Sequence, residues 1–201
     1  MAAFRLGIFG GTFDPPHVGH LVLAAESLHQ LKLDQVLWVL TPDPPHKKNL
    51  RITPLEARLE MLQACLQNAP EFKLSRVDID RPAPHFALDT MRLLAAEYPS
   101  AELVYLMGSD SLHDLPTWHR PLEFIRQCKS IGVMHRPGDL TRLDEVESQL
   151  PGVSLKVRWV LAPLLEIASS DIRQRAAGGR PFRFFLTPLV YELIQKYQLY
   201  R

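Results

Sequence analysis

The sequence predicts an α/β fold in which a doubly wound parallel sheet carries helices on both faces. Short, wholly apolar runs alternate along the chain with segments of helical periodicity. The apolar runs lack the polar alternation of a half-solvated strand, so both faces of each strand should be covered. Alternating strands and helices form such sheets through right-handed crossovers. Because no repeat or low-complexity linker interrupts this order, we expect one Rossmann-like domain over residues 1–201, with 164–201 as a small C-terminal helical subdomain.

The elements follow from the apolar pattern in chain order. A first strand is predicted over Phe4–Phe9, ending in a glycine pair, and a helix between Val18 and Leu31. A capping-box pattern predicts the next helix start, because Thr53 can be its N-cap, Pro54 suits its first turn and Glu56 follows three residues after the cap. Further strands are predicted over QVLWVL, FKLSRV, ELVYLMG, SIGVMHR and LKVRWVL, and a polar turn, GSDSLHDLPTW, follows ELVYLMG. Further helices are predicted over FALDTMRLLAAEY, 122–126, 143–150, SSDIRQRAA and TPLVYELIQKY.

Composition restricts the classes of function. The 201 residues are 46% hydrophobic and 22% charged, with a formal net charge of +1, as in ordinary globular proteins. Because the basic residues are scattered, we expect no nucleic acid polymer as a partner. No run approaches the roughly 20 apolar residues of a membrane span, and no signal peptide is recognisable, so we expect no membrane association. Cys65 and Cys128 lie too far apart for a CxxC pair, and free thiols suit a reducing, cytoplasmic location.

Glycines and histidines crowd the stretch GIFGGTFDPPHVGH, residues 7–20, directly after the first strand. Gly10 and Gly11 permit positive φ and allow a ligand to approach the backbone. The N–H groups at the start of the following helix favour an anion. The spacing matches neither GxGxxG nor a P-loop, so the sequence offers little support for dinucleotide redox chemistry or P-loop phosphotransfer. We therefore expect a site for a small anion.

Two histidines follow this turn. His17 and His20 lie three residues apart across the helix start, which places both rings on one face. Beside backbone donors, two imidazoles can clamp a phosphoryl group that gains negative charge. An isolated pair of this kind is more often one helix cap and one packed ring, but the glycine turn favours the phosphate interpretation. No third ligand residue nearby indicates zinc, and Asp14 is expected to be mainly a turn-stabilising residue.

The stretch GGTFDPPHVGH resembles the signature of the adenylyltransferase branch of the nucleotidylyltransferase superfamily, and of bacterial nicotinate-nucleotide adenylyltransferases in particular. The pattern GGTFDPxHxGH is matched at each fixed position. The resemblance implies that His17 and His20 contact phosphates during transfer, as catalytic residues. It also implies that the turn lies against ATP, and the residues this assigns to ATP binding are Gly10, Gly11, Thr12 and Phe13.

Further motifs of the same family follow. By itself, SSDIR reads as a helix start capped by Ser169 or Ser170. It resembles the family's second signature, which implies that Ser169, Ser170 and Arg173 bind ATP phosphates, while Ala168 replaces a serine. By the same resemblance Gly108 and Asp110 join the ATP site. The residues implied at the nicotinate nucleotide are His46, Lys47, Phe86, Thr90, Trp118 and Arg136; at Phe86-Ala87 the family's hydroxyl residues are absent.

The resemblance implies adenylyl transfer from ATP to nicotinate mononucleotide, giving nicotinate adenine dinucleotide and pyrophosphate in NAD biosynthesis. Mg²⁺ is expected to accompany ATP, with no metal site on the protein itself. Two alternatives stay open. One is a sister adenylyltransferase that uses the amide nucleotide or pantetheine phosphate, and the other is a non-catalytic nucleotide-binding sensor. The sequence leaves the oligomeric state open.

Overall fold

The computed structural model of the chain describes residues 3–44, 52–135, 141–163 and 165–201. Within these residues the strands are β1 (Phe4–Gly11), β2 (Gln35–Leu40), β3 (Phe72–Ser75), β4 (Ala101–Gly108), β5 (Ser130–Met134) and β6 (Val157–Val160). The helices are α1 (Val18–Gln30), α2 (Leu55–Leu66), α3 (Ala87–Glu97), α4 (Ser109–Asp114), α5 (Pro121–Gln127), α6 (Leu143–Gln149), α7 (Val153–Lys156), α8 (Ser169–Ala177) and α9 (Pro188–Lys196), with 3₁₀ turns at Leu115–Thr117 and Arg183–Phe185.

The strands form one sheet in the order β3-β2-β1-β4-β5-β6, and each neighbouring pair is parallel. The predicted fold class, a doubly wound parallel sheet, is therefore confirmed. The chain winds outward in one direction from β1 to β3 and in the other from β4 to β6. The order reverses between β1 and β4, and in open α/β sheets ligands bind outside the carboxyl ends of the strands at this point.

Apolar side chains cover both faces of the sheet. Leu6 and Ile8 of β1 are fully buried on one face, in a cluster that includes residues of α3, α5 and α6. Phe9 lies on the opposite face, in a cluster that includes residues of α1 and α2. The strand alternates between two cores because successive side chains point to opposite faces. This double burial explains why the strands read as continuous apolar runs.

A third apolar cluster joins the C-terminal helices to α2. Met61 and Cys65 of α2 pack there with Ile172 of α8 and Ile194 of α9. The two thiols of the chain, on Cys65 and Cys128, are both free and buried. None of the helices in the described part of the chain is long and apolar enough to cross a bilayer.

The predicted capping box at Thr53 is wrong. The N-cap of α2 is Pro54, and no side chain caps the helix. The backbone of Thr53 is engaged instead: its N–H donates to Asp14 Oδ2, a distant residue, at 3.2 Å, and its carbonyl accepts from Nε of Arg58 in α2 at 2.8 Å. A tertiary bond to Asp14 and a bond to Arg58 in α2 take the place of the predicted side-chain cap.

Two further elements differ from the sequence-based expectation. The segment after β4, expected as a polar turn, forms α4 and a 3₁₀ turn, because Leu112 and Leu115 are fully buried and anchor it in the core. The last strand is shorter than expected, since α7 takes its first residues. The Glu147 carboxylate accepts the N–H groups of Gly152 and Ser154 and so stabilises that helical turn.

Candidate active site

A cleft of about 800 Å³ opens at the carboxyl ends of β1 and β4, where the strand order reverses. Every predicted site residue within the described part of the chain lines it: Gly10, Gly11, Thr12, Phe13, His17, His20, Phe86, Thr90, Gly108, Asp110, Trp118, Ser169, Ser170 and Arg173. His46, Lys47 and Arg136 lie outside the described residues. The cleft has two parts: a glycine-turn side (10–20, with 169–173) and an aromatic side (78–90, with 118–119).

The two histidines stack at the start of α1. Their ring centroids are 3.7 Å apart, at an interplanar angle of 29°. Backbone N–H of His17, the N-cap residue, donates to Nδ1 of His20 at 3.2 Å. Since Nδ1 accepts, the neutral ring of His20 carries its proton on Nε2, which makes Nε2 a donor. The start of α1 thus carries a capping box that involves both histidines, and both rings line the cleft.

The two turn glycines are required for steric reasons. The sequence suggested that Gly10 and Gly11 are needed for a positive φ, but neither residue has one. A Cβ on Gly11 would lie 2.9 Å from Cζ of Phe13, and one on Gly10 would lie 2.9 Å from the Tyr105 hydroxyl. Phe13 itself has the left-handed φ of 46°, and its buried ring packs edge-on against Phe9. Burial of the ring offsets the roughly 1–2 kcal/mol that this backbone costs.

Asp14 joins three distant segments to the turn. Its carboxylate is buried and accepts the Tyr200 hydroxyl on Oδ1 at 2.8 Å and backbone N–H of Thr53 on Oδ2 at 3.2 Å. Its backbone carbonyl accepts Nη1 of Arg173 at 2.8 Å. These contacts agree with the turn-stabilising role expected from sequence, and they add partners that lie far along the chain.

Arg58 was not predicted, although it is the most extensively bonded side chain at the turn. It is 2% exposed and donates to four backbone carbonyls at 2.8–3.0 Å, those of Thr12, Thr41, Pro42 and Thr53. Burial lowers the pKa of its guanidinium, an effect that nearby Asp14 opposes. A signal was present in the sequence, because Arg58 lies on the same helix face as the apolar residues three, four and seven positions later.

The second predicted motif docks onto the first. The Ser169 hydroxyl donates to the carbonyl of Pro15 at 2.9 Å, next to the contact between Arg173 and Asp14. The prediction that Ser169 or Ser170 caps α8 is wrong, since the N-cap is Ala168 and no side chain caps the helix. Two motifs about 150 residues apart in sequence therefore form one surface.

Three long helices begin at the cleft. Residues at the N-termini of α1, α3 and α8 all line it. A helix N-terminus presents N–H groups and the positive end of the helix dipole, so it favours negative charge. Three such termini around one cavity suit a ligand, or a pair of ligands, with several anionic groups. Among the residues that the structure describes, no cluster of three or more His, Cys, Asp or Glu side chains could hold a metal ion.

The aromatic side contains rings and a buried polar cluster. Phe86 stacks on His119 with centroids 4.1 Å apart, and Trp118 meets Tyr105 edge-on at 6.0 Å. Thr90 is 4% exposed and donates its hydroxyl to Asp78 Oδ1 at 2.8 Å. This hydroxyl is thus engaged within the protein, which the sequence did not indicate.

Arg81 completes that polar cluster. Its guanidinium pairs with Asp78 at 2.9 Å and donates to the carbonyl of Pro84 at 2.8 Å. Five residues of this side were not predicted from the sequence: Asp78, Arg81, His85, Tyr105 and His119. All but Arg81 line the cleft. Tyr105 was hidden in an apolar strand. Burial, followed by the charge of Asp78, raises its pKa, so it stays protonated.

Comparison with known proteins gives consistent results. A family model described as cytidylyltransferase-like matches residues 8–175. A probable nicotinate-nucleotide adenylyltransferase of Thermomicrobium roseum is 48% identical over 197 residues, covering 98% of this chain and 92% of the relative. The nicotinate-nucleotide adenylyltransferase of Bacillus subtilis is 36% identical over 196 residues, covering 98% of each chain.

A solved structure supports the same fold. The nicotinic acid mononucleotide adenylyltransferase of Plasmodium falciparum, complexed with NaAD, superposes with a TM-score of 0.79 at 18% identity, covering 98% of this chain and 97% of the other. At this identity the likeness concerns the fold. The fold of this structure agrees with the family model and with the relatives of higher identity, which show the family. The chain belongs to the cytidylyltransferase-like family and, within it, to the nicotinate-nucleotide adenylyltransferases.

Proposed function

We propose that this chain transfers the adenylyl group of ATP to nicotinate mononucleotide, forming nicotinate adenine dinucleotide and pyrophosphate, a step in NAD biosynthesis. The observation that carries the proposal is the composition of the cleft, where a histidine pair and three helix N-termini lie opposite a group of aromatic rings. The histidine pair and the helix N-termini suit the phosphates of ATP and of the mononucleotide. The aromatic rings suit the pyridine ring of the mononucleotide.

ATP occupies the glycine-turn side in this proposal. The backbone of residues 10–13 lies along the phosphates, and the N-terminus of α8 receives the terminal ones. Arg173 already holds the Asp14 carbonyl through Nη1, and its guanidinium has four more N–H donors with which to reach phosphate oxygens. The Ser169 hydroxyl donates its one proton to Pro15, so the backbone N–H groups of Ser169 and Ser170 are the better phosphate donors. Gly108, the last residue of β4, and Asp110 in the first turn of α4 complete this site.

Nicotinate mononucleotide occupies the aromatic side. Phe86 and Trp118 offer ring faces to the pyridine. The substrate carboxylate faces the N-terminus of α3, where the first N–H groups belong to Ala87 and Leu88. A backbone donor needs no side-chain hydroxyl, so the substitution at position 87 does not remove it. Because a full negative charge gains more from a helix N-terminus than a neutral amide does, this arrangement favours the acid over the amide.

The reaction needs no nucleophilic side chain. A phosphate oxygen of the mononucleotide attacks the α-phosphorus of ATP in line, a P–O bond forms, and the bond to the β-phosphate breaks to release pyrophosphate. The chain contributes positioning of the two substrates and stabilisation of the charge that develops on the α-phosphoryl oxygens. Nε2 of His20 is a donor for that charge, with His17 stacked beside it.

ATP as the substrate of this family implies a divalent cation, which we propose is Mg²⁺ bound as MgATP. Phosphate oxygens and water are the ligands that Mg²⁺ prefers, and it needs few from the protein. The donor set of the cleft suits this, because its acidic side chains are dispersed rather than clustered. The cation is therefore part of the substrate and leaves with pyrophosphate.

We also propose a single domain with a C-terminal helical subdomain, and a cytoplasmic location. The third apolar cluster supports one domain over 1–201 with 164–201 as a helical subdomain, since α8 and α9 share that cluster with α2. The two free, buried thiols support a reducing, cytoplasmic location.

Pyrophosphate release tests the activity. The chain is incubated with MgATP and, separately, nicotinate mononucleotide, its amide counterpart or pantetheine phosphate. We expect release with the nicotinate substrate and a higher kcat/KM for it than for the amide. Release with pantetheine phosphate alone would identify the sister enzyme. No release with any acceptor, while ATP still binds, would favour the sensor.

A further inference from the structure

The turn that carries the histidine pair is held by residue 200. Asp14 is 4% exposed, and a buried carboxylate must be supplied with hydrogen-bond donors. On Oδ1 that donor is the Tyr200 hydroxyl, at 2.8 Å, across 186 residues of sequence. Oδ2 takes backbone N–H of Thr53. Tyr200 thus contributes the side-chain donor of this pair.

Tyr200 is itself firmly placed. Its ring packs against the cluster formed by α2, α8 and α9, and its hydroxyl lies 4.0 Å from Sδ of Met61. Its backbone has the left-handed φ of 67°, which a residue with a Cβ adopts only where surrounding contacts compensate. Burial, and next the charge of Asp14, raise the pKa of the hydroxyl, which therefore keeps its proton and donates.

Asp14 transmits this position to both phosphate-binding motifs. Its backbone carbonyl accepts Arg173, and the next carbonyl, of Pro15, accepts Ser169. His17 follows two residues later as the N-cap of α1. A shift of the Asp14 carboxylate would therefore move the carbonyls on which α8 docks and the start of the helix that holds the histidines.

We propose that Tyr200 is a positioning residue for adenylyl transfer, acting through the Asp14 carboxylate to fix the turn between β1 and α1. This inference rests on the proposed function for its kinetic consequence. It assigns to a residue remote in sequence a role in the geometry of the site, in addition to its part in the apolar cluster. The ATP and nucleotide contacts are not made by Tyr200 itself.

The test is Tyr200→Phe, which removes the hydroxyl and keeps the ring, with Tyr197→Phe as the matched control. Tyr197 lies near the end of the same segment, 43% exposed, with Lys196 over its ring. For Tyr200→Phe we expect kcat to fall about tenfold, with KM for ATP within about twofold, because small displacements at a reacting centre cost turnover. Tyr197→Phe should behave as wild type. A lowered Tm with unchanged kcat at 25 °C would mean a structural role only and would overturn the proposal.

A double-mutant cycle with Asp14→Asn tests the route. If Tyr200 acts through the carboxylate, Tyr200→Phe should reduce kcat much less in the Asp14→Asn background than in wild type. If Tyr200→Phe lowered kcat by the same factor in wild type and in Asp14→Asn, the proposed route through the carboxylate would be contradicted.

An activity-independent measurement separates this inference from the proposed function. The ring signals of His17 and His20, assigned in NMR spectra by single substitutions, should move in Tyr200→Phe and stay in place in Tyr197→Phe. Unmoved signals would overturn the positioning role even if the chain proved inactive. If the signals move and wild type releases no pyrophosphate, the proposed function fails while the control of the turn by Tyr200 stands.

Discussion

The two sides of the cleft are built differently. On the glycine-turn side, the backbone carbonyls of Thr12, Asp14 and Pro15 are held by side chains from α2 and α8, and Tyr200 holds the Asp14 carboxylate. On the aromatic side, the polar contacts of Asp78, Arg81 and Thr90 stay within one short segment. The long-range network should make the first side rigid and intolerant of change. The local cluster should let the second side vary in ligand without disturbing the first.

The largest expected effect is on the stability of the glycine-turn side. Arg58→Met leaves four partly buried carbonyls without the Arg58 donor, and we expect the free energy of unfolding to fall by about 3–5 kcal/mol. Urea denaturation measures this. The exposed Arg126→Met on α5 is the control and should change stability by less than about 0.5 kcal/mol. Similar values for both variants would mean that the network does not support the turn.

The next effect is on turnover. His20→Ala removes the donor proposed for the α-phosphoryl group, and we expect kcat to fall about 10²-fold or more. Pyrophosphate release measures it, and the Tm of the variant separates a chemical effect from the loss of the contact with backbone N–H of His17. His29→Ala, at the exposed end of α1, should retain normal turnover. Near-normal turnover in His20→Ala would remove His20 from the mechanism.

A smaller effect is expected on the aromatic side. Trp118→Leu removes a ring face proposed for the pyridine, so KM for nicotinate mononucleotide should rise about tenfold, the upper range for one aromatic pair. KM for ATP should stay within about twofold, because Trp118 belongs to the aromatic side of the cleft and ATP is proposed to bind on the glycine-turn side. Initial rates with each substrate varied in turn provide the measurement. A rise in KM for ATP instead would place the Trp118 ring in the ATP site and contradict its proposed contact with the pyridine.

The smallest effect tests the local cluster. Thr90→Val keeps the shape of the side chain and removes the hydroxyl, which donates to Asp78 at 2.8 Å and accepts from Nη2 of Arg81 at 3.3 Å, while Asp78 retains Arg81. We expect about 1 kcal/mol less stability by urea denaturation, with KM for ATP unchanged. Arg76→Ala, which breaks the solvent-exposed pair with Asp80, is the control and should cost less than about 0.5 kcal/mol. A change in ATP kinetics for Thr90→Val would show that the two sides are coupled.

The sequence predicted the strands well because parallel strands buried on both faces must be apolar throughout, and that pattern is local. The same local reasoning failed at Thr53 and Ser169. Both look like helix caps, but one gives its backbone to Asp14 and Arg58 and the other its hydroxyl to Pro15. Local propensity could not foresee Asp14 and Pro15, which lie 39 and 154 residues from their partners.

By itself, the sequence determined the fold class and singled out the glycine turn as a candidate anion site, since spacing and apolar periodicity are properties of neighbouring residues. Only the tertiary structure decided how that turn is held. Arg58, Arg173 and Tyr200 converge on residues 12–14 from separate parts of the chain. Their convergence depends on which helices pack together on the third apolar cluster, and no local pattern encodes that packing. The physical reason is that buried polar groups at the turn must find donors, and the nearest ones in space are remote in sequence.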